Sequence, residues 1–320
     1  MPLAGERLTV GQFLEIWLKD SAARKVRPRT LTRYQGIVRL HLVPAFGRVP
    51  LARLMPAHVE RLLNIGMAAG QSPQSVAHWR AVLRTALNIA MRQGLVGRNV
   101  ASLAEPPHIP EREVHPLTPT AARALLDAVR GDRLETLLTV ALACGLRQSE
   151  ALGLQWQDVD LDSGTLTVQR TLQRIDGAYR FLEPKTRGSR RTIALPKPVA
   201  ASLHERHTRQ LTERMRVGTA WQGNQWGDLV FTDETGGPLA GFHVTRRFRA
   251  LLKLAGLPPM RYHDLRHGAA SLMAAQSVPA RVAMEILGHA QISTTMNIYT
   301  HVAPELQRDA AERMAASLWA

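Results

Sequence analysis

The sequence predicts a mainly α-helical α+β protein with two domains and one small antiparallel β-sheet. Three observations lead to this fold class. The chain has 320 residues, which is long enough for two hydrophobic cores. Apolar residues recur at helical spacing along most of the chain, whereas short β-rich runs cluster within residues 165–195. We therefore expect a helical domain at residues 1–104, a linker at 105–117 and a mostly helical second domain at 118–320.

The positive charge of the chain is concentrated in its first third. The chain has 41 Lys and Arg residues and 26 Asp and Glu residues, so its net charge is +15. Residues 1–104 contribute +11 of this charge, and residues 105–320 contribute +4. A strongly basic domain beside a nearly balanced one indicates that the first domain binds a polyanion while the second has a separate task.

Composition excludes several other classes of protein. The one cysteine, Cys144, can form neither an internal disulfide nor a cysteine-based zinc module. No apolar run reaches about 18 residues, the length that a membrane-spanning helix needs. Glu6 and Arg7 lie where a signal peptide would have its apolar stretch. We therefore expect a cytoplasmic protein with no membrane partner.

Capping residues and apolar periodicity predict four helices and no strand in the first domain. Thr9 and Ser72 are suitable N-caps, and Pro56 suits a first helical turn, where a missing N–H costs nothing. Pro44 is expected to end the second helix because proline lacks an N–H. The helices are expected over residues 10–23, over residues 30–43, from residue 56 onward and over residues 73–91.

A dense group of basic residues lies between the first two predicted helices. Residues 24–33 contain five Lys and Arg residues. Arg29 and Arg33 are four residues apart and share one helix face, and threonine hydroxyls near a helix N-terminus suit a phosphate group. No aromatic ladder accompanies these charges, which favours duplex over single-stranded DNA. The residues predicted to contact DNA are Arg27, Arg29, Thr30 and Arg33.

The second domain is predicted to be α+β. Four prolines make residues 105–117 an extended linker, and Thr118 then caps a new helix. Three β-rich runs, at residues 165–170, 179–183 and 191–195, predict a three-stranded antiparallel sheet. Helical periodicity predicts the remaining elements over residues 119–129, 134–143, 198–215, 242–255, 262–275, 279–287 and 304–318.

Four short motifs in the second domain combine residues suited to phosphate chemistry without a metal ion. They are Gly-Leu-Arg-Gln-Ser-Glu at 145–150, His-Asp-Leu-Arg-His at 263–267, Leu-Gly-His at 287–289 and the run 293–301 that contains a tyrosine. Alone, each has a structural explanation: Arg147 suits an ion pair with Glu150, and His289 suits a helix end. Tyr299 suits a half-buried core position. Together they supply two arginines, a tyrosine and the histidines His263 and His289, a combination that rarely arises by chance.

Metal sites and nucleotide cofactors are not predicted. Three aspartates within residues 158–162 resemble the start of a calcium loop, but the glycine and glutamate of such a loop are missing. His263 and His267 have the spacing of a zinc hydrolase. Asp264 replaces the glutamate base of those enzymes, and Arg266 would lie beside any cation. The chain lacks phosphate-binding glycine motifs, so we expect no cofactor.

At these motifs the sequence closely resembles the tyrosine recombinases, the phage-integrase family of site-specific DNA recombinases. The resemblance covers nearly the whole chain, and the motifs follow in the family's order and approximate spacing. It implies a helical core-binding (SAM-like) domain and a catalytic domain with a C-terminal helix that protomers exchange. It also implies that Lys185, in the turn between the second and third predicted strands, is catalytic, and that Glu150 supports the first arginine. The catalytic residues implied by the resemblance are Arg147, Lys185, His263, Arg266, His289 and Tyr299.

The implied activity is the cleavage and rejoining of duplex DNA through a 3′-phosphotyrosyl intermediate, with strand exchange and without metal or ATP. Two arginines would neutralise the phosphodiester, and Tyr299 would attack it. His263 is expected to act as the base and Lys185 as the acid, and His289 is expected to form a hydrogen bond with the phosphate. The implied partners are duplex DNA core sites, a homotetramer on DNA that is compatible with a monomer in solution, and accessory DNA-bending or directionality factors.

Two alternative functions remain open at this point. A type IB topoisomerase uses the same kind of tyrosine chemistry but relaxes DNA as a monomer, and a non-catalytic DNA-binding regulator would keep the fold alone. The basic first domain and the segment after Tyr299 favour the recombinase over the topoisomerase. The complete set of catalytic residues argues against the regulator. Because the core-binding pattern begins near Leu8, we expect no room for an arm-binding domain in this chain, which is either a simpler recombinase or a chain that never carried that domain.

Overall fold

The chain folds into two compact units, Met1–Glu113 and Val114–Ala320. The computed structural model describes residues 8–110, 117–184, 187–289, 291–300, 311–312 and 314–319. The domain limits and linker expected from the sequence stay predictions, since residues 111–116 are outside the described ranges. Across those ranges, no helix is both long and apolar enough to cross a membrane.

The first unit is a helical bundle around its own core. Phe13, Leu14 and Trp17, expected to face inward, are buried, and Trp17 stacks on half-buried Tyr34 with ring centroids 5.5 Å apart. An additional short helix begins after the N-cap Asn99. The helical segments are α1 (Val10–Trp17), a π-turn (Leu18–Ala22), α2 (Ala23–Lys25), α3 (Pro28–Ile37), a second π-turn (Val38–Leu42), α4 (Val43–Phe46), α5 (Pro56–Ala68), α6 (Pro73–Arg92) and α7 (Val100–Leu103).

The second predicted helix has different ends in the structure. It begins at Pro28 rather than Thr30, and it continues beyond Pro44 to Phe46. The Val43 N–H donates to the Val38 carbonyl, five residues earlier, which is the π-turn hydrogen bond. This turn shifts the hydrogen-bond register, so that Pro44 occupies a first-turn position where no N–H is needed. The expectation that Pro44 stops the helix was therefore wrong.

The second unit combines helices with short strands, as expected for an α+β domain. Helix α13 packs against α9 and α15 within it. The helices are α8 (Pro119–Ala128), α9 (Glu135–Cys144), α10 (Gln148–Leu152), α11 (Lys197–Val217), α12 (Gly241–Leu254), α13 (Tyr262–Ala275), α14 (Ala280–Leu287) and α15 (Ile292–Thr300). The strands are β1 (Val159–Asp160), β2 (Thr165–Val168), β3 (Thr171–Ile175), β4 (Ala178–Leu182) and β5 (Arg191–Ala194). Residues 311–312 and 314–319 are also helical.

The strands form two small antiparallel sheets instead of the single one predicted. One sheet has the order β1-β2-β5 and the other is the β3-β4 hairpin. The predicted strand at 179–183 therefore does not join its two expected neighbours. Asp176 and Gly177 have φ values of 50° and 83°, which is the conformation of a tight two-residue hairpin turn. This turn pairs Ile175 with Ala178 and makes a local hairpin of the segment.

Three helices of the second unit, α9, α13 and α14, meet at Gly145. This residue ends α9 with a φ of 61°, a left-handed conformation that glycine adopts without steric cost. A Cβ at this position would lie 2.3 Å from Cδ2 of Leu287 on α14 and 3.5 Å from Cβ of Ala269 on α13. The absence of a side chain therefore allows α9, α13 and α14 to converge. Arg147 follows the end of α9, Arg266 lies within α13, and His289 follows the end of α14.

Candidate active site

Arg147 is fixed at the start of α10 by Glu150. Its backbone N–H donates to Oε2 of Glu150 at 3.0 Å, and its Nη1 donates to Oε1 of the same carboxylate at 2.5 Å. Nη2 donates to the carbonyl oxygen of Gly288 at 3.3 Å. The Arg147 side chain keeps 34% of its surface exposed. The guanidinium is thus held by the protein and remains accessible to a ligand.

Arg266 is a buried cation with an unused hydrogen-bond donor. It lies on α13 and is 1% exposed. Nη1 donates to the carbonyl oxygen of Gly145 at 2.6 Å, while the buried Nη2 has no partner within the described part of the chain. Burial, and to a smaller extent the charge of Arg147, lowers the pKa of Arg266 to about 9. An unpaired donor beside a second cation is costly unless an anion binds there.

His263 precedes Arg266 by almost one helical turn on α13, so both residues project from similar faces of the helix. His263 is exposed, and its ring meets the ring of His267 edge-on, with centroids 4.9 Å apart. Partial desolvation lowers the pKa of His263 to about 4, and the neighbouring charges of His267 and Arg266 add to this effect. The imidazole is therefore neutral near pH 7 and has a nitrogen lone pair that can accept a proton.

His289 follows the end of α14 and is oriented by Thr295. Gly288 ends the helix with a φ of 65°, and His289 is 9% exposed. Its Nδ1 lies 2.8 Å from Oγ1 of Thr295, a fully buried residue of α15. Desolvation, and to a smaller extent the charges of Arg266 and Arg147, lowers the pKa of His289 to about 4. This ring is therefore also neutral near pH 7.

Tyr299 lies on α15 and is half-buried. Its hydroxyl donates to the carbonyl oxygen of Val278 at 2.9 Å, in the segment between α13 and α14. Burial raises the pKa of the phenol. The hydroxyl is therefore bound by a main-chain oxygen and not by the imidazole of His263, the expected base.

The remaining predicted residues are distributed over both units. Lys185 lies outside the described residues, as does Thr186 beside it. In the first unit, the start of α3 carries the four residues predicted to contact DNA. Its three arginines are exposed and Thr30 is half-buried. The Arg33 guanidinium contacts Nδ1 of His78 on α6, so this residue links two helices. The four residues are Arg27, Arg29, Thr30 and Arg33.

Sequence reasoning missed two residues that hold this site together. Thr295 orients His289, and Arg191 at the start of β5 donates to Oε2 of Glu150 at 3.1 Å. Both act through another side chain. A single sequence offers no pattern that marks such a residue, although Thr295 lies inside the run that contains Tyr299.

Two protein-family models match the chain. The model of the phage integrase family matches residues 115–305, more than half of the chain. The model of the N-terminal SAM-like domain of phage integrases matches residues 9–66. The two matches fall in different units of the structure.

Curated relatives are similar over nearly the full length. A tyrosine recombinase XerC-like protein of Caldanaerobacter subterraneus subsp. tengcongensis is 28% identical, with 96% of this chain and 83% of the relative covered. An integrase of Streptomyces ambofaciens is 30% identical, with 97% of this chain and 81% of the relative covered.

Solved structures share the fold. The Tn1549 transposon integrase in complex with a circular intermediate DNA has a TM-score of 0.81 at 20% identity, over 96% of this chain and 100% of that chain. A lambda integrase tetramer bound to a Holliday junction has a TM-score of 0.65 at 20% identity, over 89% of this chain and 78% of that chain.

The fold and the relatives together define a DNA strand transferase of the tyrosine recombinase class. The chain belongs to the phage integrase family. Its activity is site-specific DNA recombination.

Proposed function

We propose that this recombinase cleaves and rejoins duplex DNA with Tyr299 as the nucleophile and the group around Arg147, Arg266 and His289 as the phosphate site. The observation that carries the proposal is the buried Nη2 of Arg266, which has no acceptor within the described residues and lies near a second guanidinium. A phosphodiester oxygen would supply the missing acceptor. Binding of an anion would also offset the mutual repulsion of the two cations.

The two arginines would stabilise the transition state of phosphoryl transfer. Negative charge spreads over the non-bridging oxygens when the phosphorus is attacked, and guanidinium groups bind such oxygens through two parallel N–H bonds. Arg266 stays protonated even with its pKa lowered to about 9. Loss of a preorganised donor of this kind reduces the rate of a reaction by about 10²–10³-fold. This charge stabilisation requires neither a metal ion nor ATP.

The neutral histidines would take two different roles. When the Thr295 hydroxyl donates to Nδ1 of His289, the ring proton lies on Nε2, which can then donate to a phosphate oxygen. His263 is also neutral near pH 7 and more exposed. Its neutral ring is therefore available for the phenolic proton of Tyr299, and a bound phosphate anion would offset the arginine charges that lower its pKa.

The chemical steps conserve the energy of the phosphodiester. Oη of Tyr299 bonds to phosphorus and gives its proton to His263, while the bond from phosphorus to the 5′-oxygen breaks. Lys185 is proposed to protonate the departing 5′-oxygen. In the return step a 5′-hydroxyl of the partner duplex attacks the phosphotyrosine, and the proton transfers reverse. Before the first step, the Tyr299 hydroxyl must leave the carbonyl of Val278, so attack requires a movement of α15 or of the side chain.

The DNA partner is proposed to be duplex DNA held in part by the first unit. Exposed arginines at the start of α3 support this, as does the +11 charge of residues 1–104. The structural neighbours that are integrases bound to DNA support it as well. We also propose that the protein is cytoplasmic and associated with DNA, because DNA is its substrate.

A tetramer on DNA is proposed as the active assembly. The described part of the last helix buries none of its large apolar side chains: Met314, Leu318 and Trp319 are 63%, 63% and 80% exposed. Apolar side chains with this exposure are suited to packing against another protomer. The lambda integrase neighbour is a tetramer bound to a Holliday junction. Exchange of this helix would couple the position of Tyr299 to assembly.

Formation of a covalent adduct tests the proposed function. The core site is recovered by selecting bound duplexes from a random pool, and a nicked duplex with this site is incubated with the protein in EDTA. We expect a protein–DNA adduct on a denaturing gel and none with Tyr299→Phe. Absence of the adduct with the unmodified protein, or its persistence in Tyr299→Phe, contradicts the proposal. With two sites, Holliday junctions and joint products distinguish recombination from the relaxation of circles alone.

A further inference from the structure

Glu150 binds a second arginine, Arg191, which has no role in the chemistry described so far. Arg191 is the first residue of β5, and its side chain is 6% exposed. Nη2 donates to Oε2 of Glu150 at 3.1 Å, Nε to the Ile286 carbonyl at 2.5 Å and Nη1 to the Ser189 carbonyl at 3.1 Å. Each of its nitrogens already has a protein acceptor, in contrast to Arg266. Arg191 is therefore suited to hold the site together and not to bind phosphate.

The carboxylate of Glu150 is shared between two cations. Glu150 is 2% exposed, with Oε1 bound to Arg147 and Oε2 to both Arg191 and the Arg147 N–H. Burial by itself raises the pKa of Glu150, but the charge of Arg191 and then that of Arg147 lower it below its ordinary value. A buried carboxylate depends on such partners for its ionised form. The group that orients Arg147 is thus itself stabilised by Arg191.

Arg191 also contacts the helix end that carries His289. Its Nε binds a carbonyl in the last turn of α14, two residues before Gly288. A Cβ at Gly288 would lie 2.7 Å from the Gly188 carbonyl oxygen and 3.0 Å from Cδ of Arg191. The turn that leads into His289 therefore packs directly on the Arg191 side chain. The carbonyl of Gly288 in turn accepts a hydrogen bond from Arg147.

We propose that Arg191 is a positioning residue that fixes Arg147 and His289 relative to each other around the scissile phosphate. One of its donors binds the carboxylate that orients Arg147, and another binds the helix end that carries His289. The side chain thereby connects α10, β5 and α14. The inference rests on the proposed function, because the relative position of Arg147 and His289 affects the reaction only if both groups act on the same phosphate.

The test compares two substitutions at Arg191 with a matched control. Arg191→Lys keeps the charge and Arg191→Gln keeps an amide donor, but neither can bind the three acceptors together. Arg206→Lys is the control. Arg206 is also buried, at 4% exposure, and donates to Glu213 at 3.1 Å and to the Val230 carbonyl at 3.1 Å. Circular dichroism first establishes that each variant is folded at the assay temperature.

The single-turnover rate of adduct formation on the nicked core-site duplex is the main measurement. We expect both Arg191 variants to be slower by about 10–100-fold, as found when supporting residues misplace a reacting group. We expect the Kd for DNA to stay within about twofold, and Arg206→Lys to keep the unmodified rate within about twofold. In Glu150→Gln, adding Arg191→Lys should slow the reaction by less than the product of the two single effects, because the carboxylate contact is already lost and only the contact with α14 remains to be removed.

Four results would overturn the inference. They are unmodified rates in both Arg191 variants, a rate loss fully explained by DNA affinity, multiplicative effects with Glu150→Gln, and loss of the fold in both variants while Arg206→Lys stays folded. The last result would make Arg191 a requirement of the fold. Failure of the proposed function has a different signature: the unmodified protein forms no adduct, whatever stands at position 191.

Discussion

Replacing Thr295 with valine tests whether a neighbouring hydroxyl orients the His289 imidazole. Valine keeps the shape of threonine but removes the oxygen that lies 2.8 Å from Nδ1. A hydrogen bond contributes about 1 kcal/mol net, and a buried polar atom left without a partner costs about 1–3 kcal/mol. Because Thr295 is fully buried and His289 is 9% exposed, water has little access to Nδ1. We expect cleavage to slow by about 10–100-fold, which corresponds to about 1.4–2.8 kcal/mol in the transition state.

The assay is the single-turnover rate of adduct formation on a nicked core-site duplex, with the Kd for DNA measured in parallel. Thr136→Val is the matched control. Thr136 on α9 is 1% exposed, and its hydroxyl donates to the Ser202 carbonyl at 3.3 Å. The Thr136 hydroxyl also accepts hydrogen bonds from Oγ of Ser202 at 3.0 Å and from Nη2 of Arg209 at 3.3 Å. This variant should therefore lose at least as much stability as Thr295→Val and keep the unmodified rate. Equal rates for the valine variants at positions 295 and 136 would refute the orientation of His289 by Thr295.

Three further outcomes follow from the same contacts. Gly288→Ala should lower the Tm more than Gly164→Ala. The two glycines have similar φ values, 65° and 63°, but of the two only Gly288 would place a Cβ as close as 2.7 Å to a main-chain oxygen. Equal Tm values for the two variants would contradict this. The pKa of His289 is lowered to about 4, so as the pH falls the unfolded chain binds this proton before the folded protein does. The free energy of unfolding should therefore fall between about pH 6.5 and 4, by at most about 3.4 kcal/mol from this residue. Urea unfolding should show this slope reduced in His289→Gln, and an unchanged slope would contradict it. Arg33→Ala should reduce the slope of the logarithm of the DNA-binding constant against the logarithm of the salt concentration by about one, while Arg130→Ala, at another exposed arginine, should leave this slope unchanged. Equal slopes for the two variants would contradict the DNA contact of Arg33.

Elements with a cap and an unbroken apolar period were predictable from the sequence. The helix expected over residues 262–275 is α13, and α8 begins after its predicted cap Thr118. The errors arose where a short local hydrogen-bond pattern decided the outcome. A π-turn carries the second helix past Pro44, and the Asp176–Gly177 turn makes a separate hairpin of a strand assigned to the main sheet.

The candidate site was predictable as a set of residue types and not as a set of contacts. The motifs that contain Arg147, Arg266 and His289 do converge around Gly145. The support from Arg191 could not be predicted because this residue lies outside the motifs. Thr295 lies inside one, but nothing in the sequence marks it as a support for His289. The hydrogen bond of Tyr299 to a main-chain carbonyl was also unforeseen, because the partner belongs to a segment with no motif.

Mapping the covalent bond between protein and DNA tests the central claim most directly. The adduct is digested with nuclease and trypsin, and the modified peptide is sequenced by mass spectrometry. We predict a nucleotide 3′-phosphate on Tyr299, in the tryptic peptide of residues 282–308. A nucleotide on Tyr262, on any other tyrosine or on a serine or threonine would contradict it.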